Sequence, residues 1–216
     1  MAPTYSTLPL LLALACAVLL PATSARAFPA GLFGYQQSAQ PDTHIFDQWI
    51  QALERHLRID VAEGDCTENT LNRCHLRNWQ AFLETLRDRP RSEQLAEVNR
   101  YANSKPYILD IDNYGLEDYW AVPREFLYNN GDCEDYAITK LFSLRWLGYP
   151  SDALRIVVLQ DTNLRIPHAV LAVAAQDDIM ILDNQIQEVV SHHDIVHYAP
   201  VYSINEQHWW LHMPAR

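Results

Sequence analysis

Basic residues are scarce in this 216-residue chain: 16 Lys and Arg stand against 27 Asp and Glu, a formal net charge of −11. That balance argues against nucleic acid and anionic membrane surfaces as partners and suits a divalent cation or a basic partner. There is no internal repeat and no low-complexity tract, which sets aside repeat arrays and disordered linkers. The apolar run at residues 8–20, LPLLLALACAVLL, is too short for a comfortable membrane span. Ahead of it MAPTYST has no Lys or Arg, and behind it come Pro21 and Ala25-Arg26-Ala27, the small-x-small form of a signal peptidase site. A cleaved secretory signal over residues 1–27 is expected, with a short uncleaved anchor as the alternative. The remaining 28–216 begins near Phe28 and carries one more negative charge than the whole, because Arg26 leaves. At about 190 residues it forms one domain with its own core.

Cysteine is equally sparse: Cys16, Cys66, Cys74 and Cys133. Cys16 leaves with the signal. Cys66 and Cys74 are near enough in sequence for a disulfide in an oxidising compartment; the alternative is that all remaining thiols are reduced and buried. With that pair bridged, Cys133 is an odd thiol in an exported chain and a candidate for reactivity.

The first half reads as helical. Thr43 is placed to cap a helix bearing Ile45, Phe46, Trp49, Ile50, Leu53 and Leu57, and residues 71–88 repeat the period with Leu76, Trp79, Phe82, Leu83 and Leu86. A polar loop at 60–70 separates them, and Ser92 to Asn103 gives a third helix with Leu95, Val98 and Ala102. Residues 104–122 show no period; Pro123 then opens a short helix through Tyr128, broken by Asn129-Asn130-Gly131. Asp132 stands as an N-cap with Asp135 at capping-box spacing, followed by Ala137, Leu141, Leu144 and Leu147 on one face, with Gly148 and Pro150 as the stop. Past this point, residues 154–160, 168–175, 178–183, 196–203 and 207–212 read as strands. Helices first and strands second predict an α+β fold with an antiparallel sheet. Tyr202, Trp209 and Trp210 are expected to pack on that sheet, although Trp-Trp in alternating register could also expose one ring.

The stretch YNNGDCEDYAITK sets Cys133 between Asp132 and Glu134. Flanking carboxylates hold a thiol protonated, whereas the first turn of a helix favours thiolate. A catalytic thiol also needs a base and a group to orient it. His168 opens the strand HAVLAVAA and Asp183 closes the strand DIMILD. A hairpin turning around Ala175 and Gln176 would pair the two directly, with Cβ atoms about 5 Å apart on one face. The alternatives are a half-buried strand histidine and a turn aspartate.

The segments NNGDCEDYAITKLFSLRWLGYP, RIPHAVLAV and ILDNQ resemble the bacterial transglutaminase-like cysteine proteinases, in particular the LapG-type periplasmic adhesin proteases, over about Trp79 to Pro214. The resemblance implies a papain-like, transglutaminase-core fold with N-terminal helices packed on the sheet. It implies Cys133 as nucleophile, His168 as general base and then acid, and Asp183 as orienter. It also implies a Ca2+ ion beside the active-site helix, at Asp132 and Glu134, with Asp135 a weaker candidate. On the residues alone, capping by Asp132 and Asp135 would be the reading. The implied activity is a calcium-dependent periplasmic endopeptidase that cuts the N-terminal region of a large surface adhesin within an Ala-Ala-type sequence and so promotes biofilm dispersal. An inner-membrane cyclic di-GMP receptor that sequesters the protease is the implied partner, and no membrane insertion is expected once the signal is cut. DIDNYGLED, residues 110–118, departs from an EF-hand at Tyr114 and Ala121 but could lend a carboxylate to the same ion. An oxyanion donor is open between Trp120 and a backbone N–H near Cys133. Two rivals stand: a transglutaminase or other acyltransferase with the same three residues, and a calcium-binding module without turnover, whose mark would be a lost Cys, His or Asp.

Overall fold

The structure, a computed structural model, describes residues 28–58, 64 and 73–215. The expected signal over 1–27, Cys66 and most of the loop 60–70 lie outside the described residues. Strands β1 (Tyr35–Gln40), β2 (Leu154–Asp161), β3 (Ile166–Ala175), β4 (Asp178–Leu182), β5 (Val190–Ser191), β6 (Tyr198–Ile204) and β7 (Trp209–Pro214) form one sheet in the order β1-β7-β6-β2-β3-β4-β5. Every neighbouring pair in it is antiparallel. The five strands expected from sequence are all present. β1 and β5 are additions. YQQSAQ has no apolar alternation; it is a strand because it pairs along β7 from Tyr35–Pro214 to Gln40–Trp209, so tertiary pairing overrides local preference.

The helices are α1 (Asp47–Leu57), α2 (Arg73–Glu84), α3 (Arg91–Asn103), α4 (Asp110–Asn113), α5 (Pro123–Asn129) and α6 (Cys133–Trp146). α1 starts later than the Thr43 cap implied. The Thr43 carbonyl closes a turn with the Phe46 N–H, and Phe46 takes the N-cap position. Trp49 and Ala52 are therefore buried while Ile45 and Leu57, expected on the same face, are exposed.

α6 is the central helix. A one-sided stripe was expected, but Asp135 through Leu144 are all buried, because β2 and β3 cover one side and α3 and α5 the other. Trp49, Leu83, Ile138, Leu141 and Leu144 form the middle of this core, each contributing about 1.5–3 kcal/mol by burial. Polar groups caught inside are partnered where they can be: Ser143 accepts from the Trp79 indole N–H at 2.9 Å and donates to the Thr139 carbonyl at 2.7 Å. Gly148, at φ 85°, ends the helix as the sequence indicated; its left-handed backbone lets the Tyr149 N–H return to the Leu144 carbonyl.

The opposite face of the sheet carries Val157, Leu159, Val170, Ala172, Ile179 and Ile181, covered by Phe28, Leu32, Ile195 and Tyr198. Trp209 and Trp210 alternate across the sheet as their spacing requires. Trp209 meets Phe46, while Trp210 lies under the Arg155 guanidinium, and both rings are half-buried.

Candidate active site

Cys133 is the first residue of α6 and a free thiol, whereas Cys74 is disulfide-bonded. The chain reaches Cys133 through a tight break. Asn130 takes a glycine-like φ of 64°, and a Cβ on Gly131 would stand 2.0 Å from Asp135 Oδ2. Asp135 is fully buried and closes the helix start: its Oδ1 accepts from the Ala121 N–H at 2.6 Å and its Oδ2 from the Asp132 N–H at 3.2 Å. The return half of the capping box expected from sequence is thus present.

β4 pairs with β3 only as far as Leu171–Leu182. Beyond that, the edge of β3 is open to the N-terminus of α6, and the Ala169 backbone N–H faces the Cys133 sulfur. Next to Ala169, buried His168 places Nε2 2.9 Å from Asp183 Oδ1. The pairing was expected, but its register was not. Leu171 faces Leu182 and Ala175 faces Asp178, which shifts the hairpin by two residues from the expected His168–Asp183 pairing. A shift of two preserves the face, so the side chains still meet, diagonally, with Asp183 just past the end of β4. Asp183 also accepts from the Gln185 N–H at 2.9 Å and the Tyr198 hydroxyl at 2.6 Å. Burial raises the Asp183 pKa, but the His168 and Tyr198 hydrogen bonds outweigh it and hold the carboxyl below its ordinary range. With Nε2 committed to Asp183, His168 has Nδ1 left for proton transfer.

The thiol itself points elsewhere: Cys133 Sγ–H donates to Glu134 Oε2 at 3.2 Å, and among the described residues no hydrogen bond joins it to His168. Burial, followed by Glu134 and Asp132, pushes the thiol pKa far up. The conflict visible in the sequence is therefore physical.

Carboxylates dominate the surroundings. The 104–109 segment runs beside Gly131, where the Ile108 N–H bonds the Gly131 carbonyl at 2.9 Å, and this sets Asp110 against Asp132. Ligand atoms of Asp110, Asp118 and Glu134, and of Asp110, Asp132 and Asp135, lie within 4.8 Å of one another. Burial pushes Glu134 up to about 9 and Asp110 up to about 6. Asp132 and Asp135 are raised as well, again chiefly by burial. Asp132 Oδ1 and Asp110 Oδ1 are buried without a hydrogen-bond partner. Orphaned, crowded, hard oxygen donors fit a divalent cation of the calcium kind. Asp110 and Asp118 were missing from the predicted ligands; their only sequence signal was the acidic stretch 110–118. Asp135, the weaker candidate, already has both oxygens on backbone N–H groups. The Trp120 indole N–H is engaged by Asp118 at 3.0 Å.

Two other features lie apart. An open groove of about 1300 Å³ between α3 and the β3–β4 hairpin, floored by Leu95, Val173 and Met180, touches none of these residues. Asp178, His192 and His193 also cluster. There His192 Nδ1 accepts from the Phe33 N–H at 3.0 Å, which leaves Nε2 protonated in the neutral ring and unsuited to a metal.

A thiol in the first turn of a helix, set against a strand that holds an imidazole–carboxylate pair, is the layout of the transglutaminase-like thiol enzymes. The chain belongs to the bacterial transglutaminase-like cysteine proteinases (BTLCP), whose family profile matches residues 59–216. Among solved structures it is similar to LapG of Legionella pneumophila, with 30% identity over 80% of this chain and 90% of that one and a TM-score of 0.60. It is also similar to the calcium-bound form of that LapG, with 31% identity over 76% of this chain and 86% of that one and a TM-score of 0.59. The EGTA-treated form matches at 30% identity over 80% of this chain and 87% of that one, with a TM-score of 0.60. No curated protein matches.

Proposed function

We propose that the protein is a calcium-dependent cysteine endopeptidase in which Cys133, His168 and Asp183 act together. The observation that carries this reading is the buried 2.9 Å His168–Asp183 contact, one residue from the backbone N–H that faces the Cys133 thiol. His168 takes the thiol proton at Nδ1 while Asp183 fixes the tautomer through Nε2. The sulfur attacks the scissile carbonyl carbon. The leaving amine receives the proton from the imidazolium, and a thioester remains. Water, deprotonated by the same imidazole, then hydrolyses the thioester and restores the thiol.

Asp132, Glu134, Asp110 and Asp118 are the residues that would hold Ca2+. When bound, the ion supplies positive charge beside the thiol and offsets the carboxylates that hold it protonated. The calcium-bound and EGTA-treated forms of the similar LapG support this part of the reading. A periplasmic location, a large surface adhesin cut near its N-terminus, biofilm dispersal and an inner-membrane cyclic di-GMP receptor as sequestering partner rest on the sequence resemblance. Among the described residues, no helix is long and apolar enough to cross a membrane.

The test is a cleavage assay with the chain from Phe28 onward and an adhesin N-terminal fragment, in calcium or in excess EGTA. Cutting only in calcium, and none by Cys133→Ala, is expected. Cutting by Cys133→Ala would refute thiol catalysis, and undiminished cutting in EGTA would refute the calcium requirement.

A further inference from the structure

Asp183 is held more firmly than an orienting carboxylate needs for its histidine alone. Its Oδ1 serves both the His168 Nε2 and the Gln185 N–H, while its Oδ2 takes the Tyr198 hydroxyl at 2.6 Å. A carboxylate hydrogen-bonded on one oxygen can still rotate about its Cβ–Cγ bond; a donor on the second oxygen stops that rotation. Tyr198 is itself fixed. It is buried, it sits in β6 opposite Asp161 of β2, and its ring stands edge-on to Phe33 at 5.6 Å. The same ring stands edge-on to His168 at 5.7 Å, so one side chain touches both members of the pair.

We propose that Tyr198 is a positioning residue that sets the orientation of Asp183 and, through it, the tautomer and ring plane of His168. The proposal rests on the catalytic reading above and extends it to a residue outside the three. The other groups facing Asp183 cannot replace the hydroxyl. Lys140 of α6 acts on Asp183 through charge and makes no hydrogen bond among the described residues. Asn103 of α3 bonds the Asp183 backbone carbonyl, not the carboxylate. Burial, followed by the neighbouring Asp183 carboxylate, pushes the Tyr198 hydroxyl pKa up, so the hydroxyl remains a donor across the working pH range.

The test uses the full mature chain with saturating calcium and compares wild type, Tyr198→Phe and His168→Ala. Tyr198→Phe keeps the ring and its packing against Phe33 and removes only the donor. The first readout is NMR of 15N-labelled histidine side chains, with the His168 signals assigned by their loss in His168→Ala. The second is the rate at which iodoacetamide alkylates Cys133 at one fixed pH. Wild type is expected to show a single Nε2–H tautomer with a downfield ring proton. Tyr198→Phe is expected to shift that proton upfield, populate the second tautomer and slow alkylation about tenfold, the scale of one hydrogen bond to a charged group. Wild-type behaviour of Tyr198→Phe on both readouts overturns the proposal. So does slowed alkylation with an unmoved His168 proton, which marks a merely structural role, or a moved proton with unchanged alkylation. An alkylation rate that His168→Ala leaves unchanged instead refutes the triad on which the proposal stands.

Discussion

Gly131 is packed so closely on Asp135 that a Cβ in its place would stand 2.0 Å from Oδ2 and 2.8 Å from the Asp135 Cβ. The carboxylate cannot retreat, because it is buried and bonded to the Ala121 and Asp132 N–H groups. Gly131→Ala is therefore expected to cost about 1–3 kcal/mol, as overpacking does. It should also disturb Asp132, and with it the calcium response. Thermal melts with and without calcium check both; a wild-type melt in each condition would show that the helix start has slack.

Asp183 is expected to tolerate an amide better than an apolar replacement. Oδ1 accepts two donors and Oδ2 one. An asparagine can place its oxygen at the first seat and its NH2 at the second, with the Tyr198 hydroxyl turning round to accept. What is lost is the charge that stabilises the imidazolium. Asp183→Asn is expected to cut about tenfold more slowly, and Asp183→Ala slower by about a thousandfold or more. Equal losses in the two variants would place the carboxylate's role in charge alone.

Much of this was legible in the sequence for a definite reason. The helix carrying Cys133 is bracketed by an N-cap and by Gly148, and the side-chain period of two in β3 and β4 keeps His168 and Asp183 on one face even though the hairpin shifts by two residues. What could not be read there depends on distant partners. β1 exists only through β7. Lys140, Thr139 and Ser143 are buried only because a second helical layer covers α6. Asp110 and Asp118 reach Glu134 because an aperiodic segment folds back along Gly131, and no local pattern encodes that contact.

The carboxylate cluster gives the calcium-free protein an unusual pH dependence. Burial and Asp132 raise the Glu134 pKa to about 9 in the folded state, against an unfolded value of about 4.3. Between those values the folded state of this group binds more protons, so the Glu134 contribution to stability falls as pH rises from about 4 towards 9. Bound calcium would remove the penalty. At a hundredfold excess over its Kd it should raise Tm by about 5–10 °C. Glu134→Gln is expected to flatten the calcium-free pH profile and to lose most of the calcium-induced rise. Melts of wild type and Glu134→Gln from pH 5 to pH 9, with calcium and with EGTA, check this; a calcium-free difference, wild type minus variant, that climbs over that range would contradict the sign.

Lys140 supplies the opposite slope and can be isolated by working in saturating calcium, where the Glu134 contribution is suppressed. Its amine is fully buried on α6 without a hydrogen-bond partner among the described residues. Burial pushes its pKa down to about 7, although Asp183 pulls the other way. The unfolded value is about 10.4. Between about 7 and 10 the unfolded chain binds more protons, so this group's contribution to stability rises with pH; at pH 7 and below, the cost of a buried ammonium is at its fullest. Lys140→Met keeps the length and fills the same space with an apolar group. Replacing a buried ammonium that lacks a hydrogen bond in this way is expected to gain about 1–4 kcal/mol at pH 6 and less at pH 9. Denaturant unfolding at the two pH values checks it. A loss of stability at pH 6 would mean that the ammonium's attraction to Asp183 outweighs its desolvation, and the lysine would then belong with Tyr198 among the groups that hold the Asp183 carboxylate ionised.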